Sequence, residues 1–211
     1  MAQISLFDVN AIIELVKSII IKPREFFEQM PTHGGYREPL IFITVIGIIA
    51  GLTAAALSFF SSGHLGSMSF GITSIILLPV AAIAGCYIAS AIMFVIWKLM
   101  GSREEYEASF RCVAYSYVII PVAVIASIIP YIGTLTANLW WFWLIYIATL
   151  TVHKLESQKS SIVLGIIATV FLIGNLAGEN TQREYEQRHN EFNKQMSNIQ
   201  NLSPEKLDEE N

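Results

Sequence analysis

Charged side chains are scarce in this sequence, and three long stretches have none at all. Only 14% of the 211 residues are Asp, Glu, Lys or Arg, whereas 54% are hydrophobic. Soluble domains carry roughly 25% charged residues, so this chain lacks the polar surface that would keep it in solution. No acidic or basic residue occurs in 39–97, 112–152 or 160–178. Because an ionised side chain at the centre of a membrane helix costs roughly 2.5–3.5 kcal/mol, these stretches predict membrane spans.

Residues and motifs that carry chemistry are also few. Cys86 and Cys112 both fall in apolar segments, where we expect them to pack rather than to form a disulfide or bind a metal. The four histidines are far apart in the sequence, and we expect each of them at a solvated surface. Phosphate-binding, zinc-binding and nucleophile motifs are missing, so we expect no catalysis and no cofactor. The net charge of −4 arises in residues 179–211 and does not indicate nucleic-acid binding.

The apolar stretches predict an all-α bundle of about five transmembrane helices. A helical span needs about 20 apolar residues. The last of the expected spans is at the lower limit of this length, so four spans remain an alternative. The expected spans are 39–60, 70–100, 109–130, 134–152 and 161–177.

The distribution of lysine and arginine predicts the orientation and the domains. These residues concentrate before the first span and in the loops after the second and fourth, which places the N-terminus in the cytoplasm. With five spans the C-terminal tail is outside, although the basic residues just after the last span favour the opposite side. We therefore expect a cytoplasmic region (1–37), a spanning domain (38–178) and a polar acidic tail (179–211).

Both ends of the chain carry amphipathic patterns. Residues 8–20 place apolar side chains on one helical face, and Pro23 suits the start of a second short helix that carries Phe26 and Phe27. These helices either lie in the lipid headgroup layer or pack on the ends of the spans. In the tail, apolar residues follow a four–three spacing over 185–199, which is too short for a stable coiled coil. We expect a loosely ordered tail, with self-association as the alternative.

Small and aromatic residues within the spans predict how the bundle packs. Gly47 and Gly51 in the first span, and Ala81 and Gly85 in the second, recur every four residues, a spacing that lets helices approach closely. We expect them to pack the bundle, or to form the interface of a homo-oligomer. Three further residues suit an aromatic belt at the membrane interface. They are Trp140, Trp141 and Trp143.

Ionisable residues inside spans are the usual sign of transport, and the predicted spans contain none at depth. Arg111 is the nearest, one helical turn after Glu107, where we expect a membrane anchor or a local ion pair. A small-solute transporter or channel is the alternative, with Pro79 and Pro121 as helix breaks around a central site. That site would be lined by Tyr115, Ser116 and Asn138.

Four short segments resemble one known family of membrane proteins. Pro23-Arg-Glu-Phe26-Phe27 is similar to the Pro-x-x-Phe-Phe motif of its prokaryotic members. Arg111-Cys-Val-Ala114-Tyr115-Ser116, followed by Ile120-Pro121, is similar to its Gly-Tyr-Ser…Pro signature, with Ala114 in place of the eukaryotic glycine. Pro130-x-Ile-Gly133 and the tryptophans at 140–143 complete the match, which covers about residues 20–178. The chain thus resembles the Yip family, the Ypt-interacting five-span proteins.

The resemblance implies a cytoplasmic N-terminus, five spans and, in eukaryotic members, binding of Rab-type GTPases in vesicle traffic. Glu38-Pro39-Leu40 stands where those members have Asp-Leu-Tyr-Gly-Pro, and their long cytosolic N-terminal region has no counterpart. We therefore expect a prokaryotic-type member in the cytoplasmic (inner) membrane. It would be a non-enzymatic scaffold or adaptor that contacts lipids and other membrane-associated proteins, or that shapes the bilayer. The residues expected to contribute are Arg111, Tyr115, Ser116, Pro121 and Asn138 as the partner or solute site, with Phe26 and Phe27 in the interfacial helix.

Overall fold

The structure is a computed structural model that describes residues 9–61 and 65–208. The parts of the predicted cytoplasmic region and of the predicted tail that fall in 1–8 and 209–211 lie outside the described residues. Throughout the described part the regular elements are helical, which confirms the predicted all-α class. The helices are α1 (Val9–Ile21), α2 (Pro23–Gln29), α3 (Arg37–Ser61), α4 (Leu65–Leu99), α5 (Tyr106–Ser116), α6 (Ile120–Ala126), α7 (Ile132–Thr151) and α8 (Ser157–Asp208), with the 3₁₀ turn Tyr117–Ile119 between α5 and α6.

Four segments of the described chain are long and apolar enough to cross a membrane, so the chain is an integral membrane protein. Helix α7 corresponds to the fourth predicted span (134–152) and does form, with the 20 residues that a span requires. It is not among the four, because Asn138, several threonines and three tryptophans lower its hydropathy. The four segments are Arg37–Ser58, Ile72–Leu99, Tyr106–Ala126 and Ser157–Ile199.

The third predicted span is interrupted at Pro121, one of the two helix breaks considered in the transporter alternative, whereas the other, Pro79, lies inside the continuous helix α4. Helix α5 ends at Ser116, one 3₁₀ turn follows, and α6 begins at Ile120 with Pro121 in its first turn. Proline has no N–H to donate, and its ring collides with the carbonyl four residues earlier, here that of Tyr117. The chain tightens before the proline, and the N–H of Ile120 bonds the Tyr117 carbonyl instead.

The two N-terminal helices pack on the bundle, which was one of the two arrangements predicted for them. The side chains of Ile19, Phe26 and Phe27 are 0%, 5% and 1% exposed, so they lie in the protein core rather than in the headgroup layer. The ring of Phe26 meets that of Tyr115 edge-on, with 5.2 Å between centroids. Burial against protein satisfies the same amphipathic pattern as burial against lipid, and therefore the sequence left both arrangements open.

Helix α5 is the most buried element of the bundle. It packs against α3, α4 and α7, and the residues from Ala108 to Ser116 are all buried. Helices α3 and α4 approach closely beside it at Gly47 and Gly51. A Cβ atom on Gly47 would lie 2.6 Å from the Cα of Pro79, so the two backbones touch there.

The chain divides into two compact units, Met1–Phe171 and Leu172–Asn211. The second unit is helical as far as Asp208, so the expectation of a loosely ordered tail is wrong over the described residues. An ion pair between residues one helical turn apart stabilises it, with Arg183 Nη2 2.6 Å from Glu179 Oε1. The predicted four–three stripe is exposed on this helix, at Tyr185, Phe192, Met196 and Ile199.

Candidate functional site

The charged group of Arg111 lies inside the bundle, at the midpoint of α5. Its side chain is 1% exposed, and it reaches two other elements of the chain. The Nη2 atom donates a 2.7 Å hydrogen bond to the Gly35 carbonyl, and Nε donates a 3.3 Å bond to Glu107 Oε1. The Nη1 atom lies 3.6 Å from Glu38 Oε2. Arg111 thus connects α5 to the segment before α3 and to the first turn of α3.

Glu107 reinforces this connection. Its Oε1 accepts a 2.6 Å hydrogen bond from the Gly35 N–H while it also accepts from Arg111. Gly35 has a φ of +84°, which favours glycine. Its neighbour Gly34 has a φ of +133°, and a Cβ there would lie 3.1 Å from Arg111 Nη2. The Gly-Gly pair therefore allows the backbone to approach the guanidinium closely.

Two acidic side chains share this one guanidinium. They belong to Glu38 and Glu107, which are 23% and 18% exposed. The Nη1 atom of Arg111 makes no hydrogen bond with any described residue. Removing one partner from a buried ion pair strands the other charge in a poorly solvated place, which typically costs about 3–5 kcal/mol.

Tyr115 lies one turn after Arg111, on the same face of α5. Its ring meets the rings of Phe26 and Phe42 edge-on, each at 5.2 Å between centroids. Its hydroxyl is buried and has no hydrogen-bond partner among the described residues. Tyr115 therefore holds α2 by its ring, while Arg111 holds the segment that follows α2 by its charge.

The part of the chain that contains this arrangement matches the model of a known domain family. The Yip1 domain matches residues 17–178, which include α2, Gly35 and all of α5. The chain belongs to the Yip family. No curated protein and no solved structure matches it. The family assignment therefore depends on the domain match alone, and that match confirms the resemblance drawn from the four short segments.

The remaining residues predicted for a partner or solute site lie elsewhere in the Yip domain. Ser116 is buried and donates its hydroxyl to the Cys112 carbonyl of its own helix, at 2.7 Å. Pro121 is half-buried in the first turn of α6. Asn138 is buried on α7, and its Oδ1 atom has no hydrogen-bond partner in the described part of the chain. No hydrogen bond or ion pair joins Asn138 to Arg111 within that part.

The tryptophans predicted for the membrane interface and the small residues predicted for helix packing differ among themselves in exposure and in neighbours. Trp143 is exposed, Trp140 and Trp141 are half-buried, and the rings of Trp140 and Trp143 are 5.1 Å apart. Gly47 and Gly51 pack on α4, as described above. Ala81 is exposed, and a Cβ on Gly85 would meet only the Tyr117 hydroxyl, at 3.3 Å. The small residues of α4 therefore lie on a different face from its contact with α3.

A second polar cluster of the Yip domain joins α4 to the end of α7. Trp97 Nε1 donates a 2.8 Å hydrogen bond to Thr149 Oγ1, and the Trp97 ring stacks on His153 at 3.8 Å. A 2.8 Å hydrogen bond joins Ser102 Oγ and His153 Nδ1. His153 is 5% exposed, so the expectation of a solvated surface histidine is wrong for this residue.

The surroundings of His153 keep it uncharged. Burial, and secondarily the positive charge of Lys98, lower the pKa of His153 from 6.5 to about 3. The only sequence signal for this cluster is the four-residue spacing of Thr149 and His153. Their partners Trp97 and Ser102 lie some fifty positions earlier, and no local pattern connects the two segments.

Proposed function

We propose that this Yip-family protein is an integral membrane scaffold or adaptor that binds other membrane-associated proteins and performs no catalysis. The observation that carries the proposal is the division of α2 into two faces. Phe26 and Phe27 are buried, whereas Arg24, Glu25 and Glu28 are exposed on the opposite side. These charges form exposed pairs, Lys22 with Glu25 at 3.0 Å and Arg24 with Glu28 at 3.6 Å, which contribute little and are readily exchanged for pairs with charged groups of a partner.

Arg111 and Tyr115 act in this proposal as positioning residues. Both side chains are about 1% exposed, so a partner that binds the folded chain does not reach them. Tyr115 packs on Phe26, and Arg111 binds the Gly35 backbone just after α2. The two residues thus fix the base on which α2 presents its charges, and their loss is expected to disorder the binding surface.

The proposed partner is on the cytoplasmic side. Lysine and arginine concentrate in the N-terminal region and in the loops after α4 and α7, and such loops stay in the cytoplasm in most membrane proteins. In this orientation α1, α2 and the Arg111 cluster face the cytoplasm. The exposed face of α2 is then available to a soluble protein or to the cytoplasmic part of another membrane protein.

Photo-crosslinking from α2 tests the proposal. A photo-reactive amino acid replaces Glu28 in the full chain, in native membranes, and adducts are identified by mass spectrometry. Ile162 is an exposed apolar residue of α8 and provides the matched control position. We expect a recurrent protein adduct from Glu28 that is missing from Ile162 and is reduced by Arg111→Ala. Probes at Glu28 and Arg24 that both yield no foreign protein would contradict the adaptor function.

A small-solute transporter is the second candidate, and one observation favours it. The Asn138 Oδ1 atom and the Tyr115 hydroxyl are buried polar atoms without partners among the described residues, and polar groups of this kind can serve a ligand. Vesicles reconstituted with the full chain would then conduct small polar solutes, and Asn138→Leu would reduce the flux. Vesicles that stay impermeable to ions and to small polar solutes would exclude this candidate.

A further inference from the structure

An apolar groove with a volume of about 240 Å³ lies on the bundle, lined by residues of α4, α7 and the beginning of α8, together with Tyr117. Gly85 and Ala89 of α4 contribute almost no side chain to its lining. Phe142 of α7 and Phe171 of α8 meet edge-on at 5.9 Å and form part of its wall. The groove is separate from the Arg111 cluster and from the face of α2.

The small residues of α3 and α4 have opposite surroundings, and this difference explains the groove. At Gly47 an added Cβ would lie 2.6 Å from the backbone of Pro79, so the neighbouring helix fills the space. At Gly85 the same atom would meet the Tyr117 hydroxyl alone, at 3.3 Å. The spacing of small residues thus produces close helix packing at α3 and an unfilled surface at α4.

The location of the groove indicates which molecules surround it. Three of the contributing segments belong to the candidate spans Ile72–Leu99, Tyr106–Ala126 and Ser157–Ile199. The lining residues Ile88 and Ile92 are 63% and 45% exposed, so the protein does not cover this side. In a membrane the groove therefore opens to lipid hydrocarbon.

Water does not suit this groove. A buried water molecule needs two to four polar partners, and the Tyr117 hydroxyl and the Trp141 indole are the only polar side-chain groups in the lining. An empty groove is also unfavourable, because the atoms that line it would lose their dispersion contacts. An apolar occupant restores these contacts without the loss of any hydrogen bond.

We infer that the groove binds one acyl chain of a bilayer lipid. A helix from a second copy of the chain would place only single side chains in it, because helices pack by setting side-chain ridges into grooves and do not enter them whole. A single hydrocarbon chain is much thinner and fits along the groove. This lipid site goes beyond the proposed adaptor function and does not depend on it.

Photo-reactive lipids test the inference on the full chain. The protein is reconstituted in phosphatidylcholine vesicles that contain a phosphatidylcholine with a diazirine group in one acyl chain. After illumination, adducts are assigned to residues by mass spectrometry. We expect adducts at Gly85, Ala89 and Trp141 to exceed those at Ile76, an exposed residue of the same α4.

Two substitutions of the same kind separate a binding site from general lipid contact. Gly85→Leu fills the groove, whereas Gly165→Leu adds the same side chain where no atom lies within 4 Å. Displacing about two methylenes from the groove weakens acyl-chain binding about tenfold, which sets the upper limit of the expected loss. We expect this loss of groove adducts in Gly85→Leu and not in Gly165→Leu. Ala89→Leu provides a second groove-filling variant in case Gly85→Leu fails to fold.

Three outcomes would overturn the inference. Adducts that simply follow the exposed area of each residue would show that the groove has no preference for a chain. Groove adducts that persist in the filled variants would show that they arise outside it. Cross-links from the groove to a second copy of the protein, in place of lipid, would identify the surface as a protein interface.

Discussion

Arg111 Nη2 donates a 2.7 Å hydrogen bond to the carbonyl of Gly35, across 76 positions of the chain. The same glycine donates its N–H to Glu107, so both backbone groups of one residue bind to one turn of α5. Because the contacts are to the backbone, no side chain at position 35 is required. What the position requires is a φ of +84°, and glycine adopts such a conformation without strain.

The first prediction concerns the stability that this cluster provides. Arg111→Ala should lower the free energy of unfolding by about 3–5 kcal/mol, because it leaves two carboxylates without their cation in a largely buried place. Arg24→Ala is the matched control, since it removes an exposed 3.6 Å pair with Glu28 that should contribute at most about 1 kcal/mol. Equilibrium unfolding in detergent measures both. Equal effects would show that the Arg111 pair contributes no more than a surface pair.

The second prediction compares glycines that have different neighbours. Gly47→Ala should destabilise the protein by about 1–3 kcal/mol, because the new Cβ would overlap the backbone of Pro79. Gly165→Ala should be neutral or should stabilise by about 0.5–1 kcal/mol, because its Cβ meets nothing and alanine favours a helix. The same unfolding measurement tests both variants. Similar changes in the free energy of unfolding for Gly47→Ala and Gly165→Ala would contradict the close contact of α3 and α4.

Much of the fold follows from local features of the sequence, because the bilayer imposes a simple rule. Membrane spans lack charged residues, and the charge-free stretches of the sequence therefore predicted the positions of α3, α4 and the apolar part of α8. The four-residue spacing of Glu107 and Arg111 likewise predicted a membrane anchor or a local ion pair, and the structure contains the ion pair at 3.3 Å. Such features require only one helix and one turn.

The features that the sequence did not reveal depend on distant contacts. The four-residue spacing at Arg111 gives no hint of Gly35, since the two meet only after α3 and α4 have folded between them. The amphipathic pattern of Phe26 and Phe27 shows that they avoid water, but not whether lipid or protein covers them. His153 comes just after an apolar helix in the sequence, a position typical of a surface residue. Its burial depends on Trp97, which is distant in the sequence and stacks on its ring.

The third prediction is a pH dependence of stability caused by His153. Its pKa is lowered from 6.5 to about 3 by burial, so the unfolded chain binds a proton more readily than the folded one. The stabilisation is therefore complete above about pH 6.5 and declines as the pH falls toward 3. The decline is about 1.4 kcal/mol per pH unit.

Unfolding between pH 7 and 5 checks this prediction, because carboxylates contribute little in that range. We expect His153→Gln to flatten the pH profile of the free energy of unfolding. His33→Gln changes an exposed histidine and should leave the profile of the unaltered protein. A profile in His153→Gln that keeps the original slope would show that another group causes it.

The last prediction separates the ring of Tyr115 from its hydroxyl. The hydroxyl is buried without a partner in the described part of the chain, so Tyr115→Phe removes a desolvated polar group and should raise stability by about 1 kcal/mol. Tyr115→Ala also removes the edge-on contacts with Phe26 and Phe42, which should cost about 3–5 kcal/mol. Unfolding measurements in detergent give both values.

The same pair of variants distinguishes the two functions considered for this protein. If Tyr115 only positions α2, Tyr115→Phe keeps the Phe26 contact and should retain the protein adduct formed from Glu28, while Tyr115→Ala should lose it. If the hydroxyl binds a solute directly, Tyr115→Phe should lose solute flux; if it binds a partner directly, Tyr115→Phe should lose the protein adduct. In both cases the variant should remain at least as stable as the unaltered protein. Loss of the adduct in the stable phenylalanine variant would therefore contradict a purely positioning role, because the ring that contacts α2 is still present.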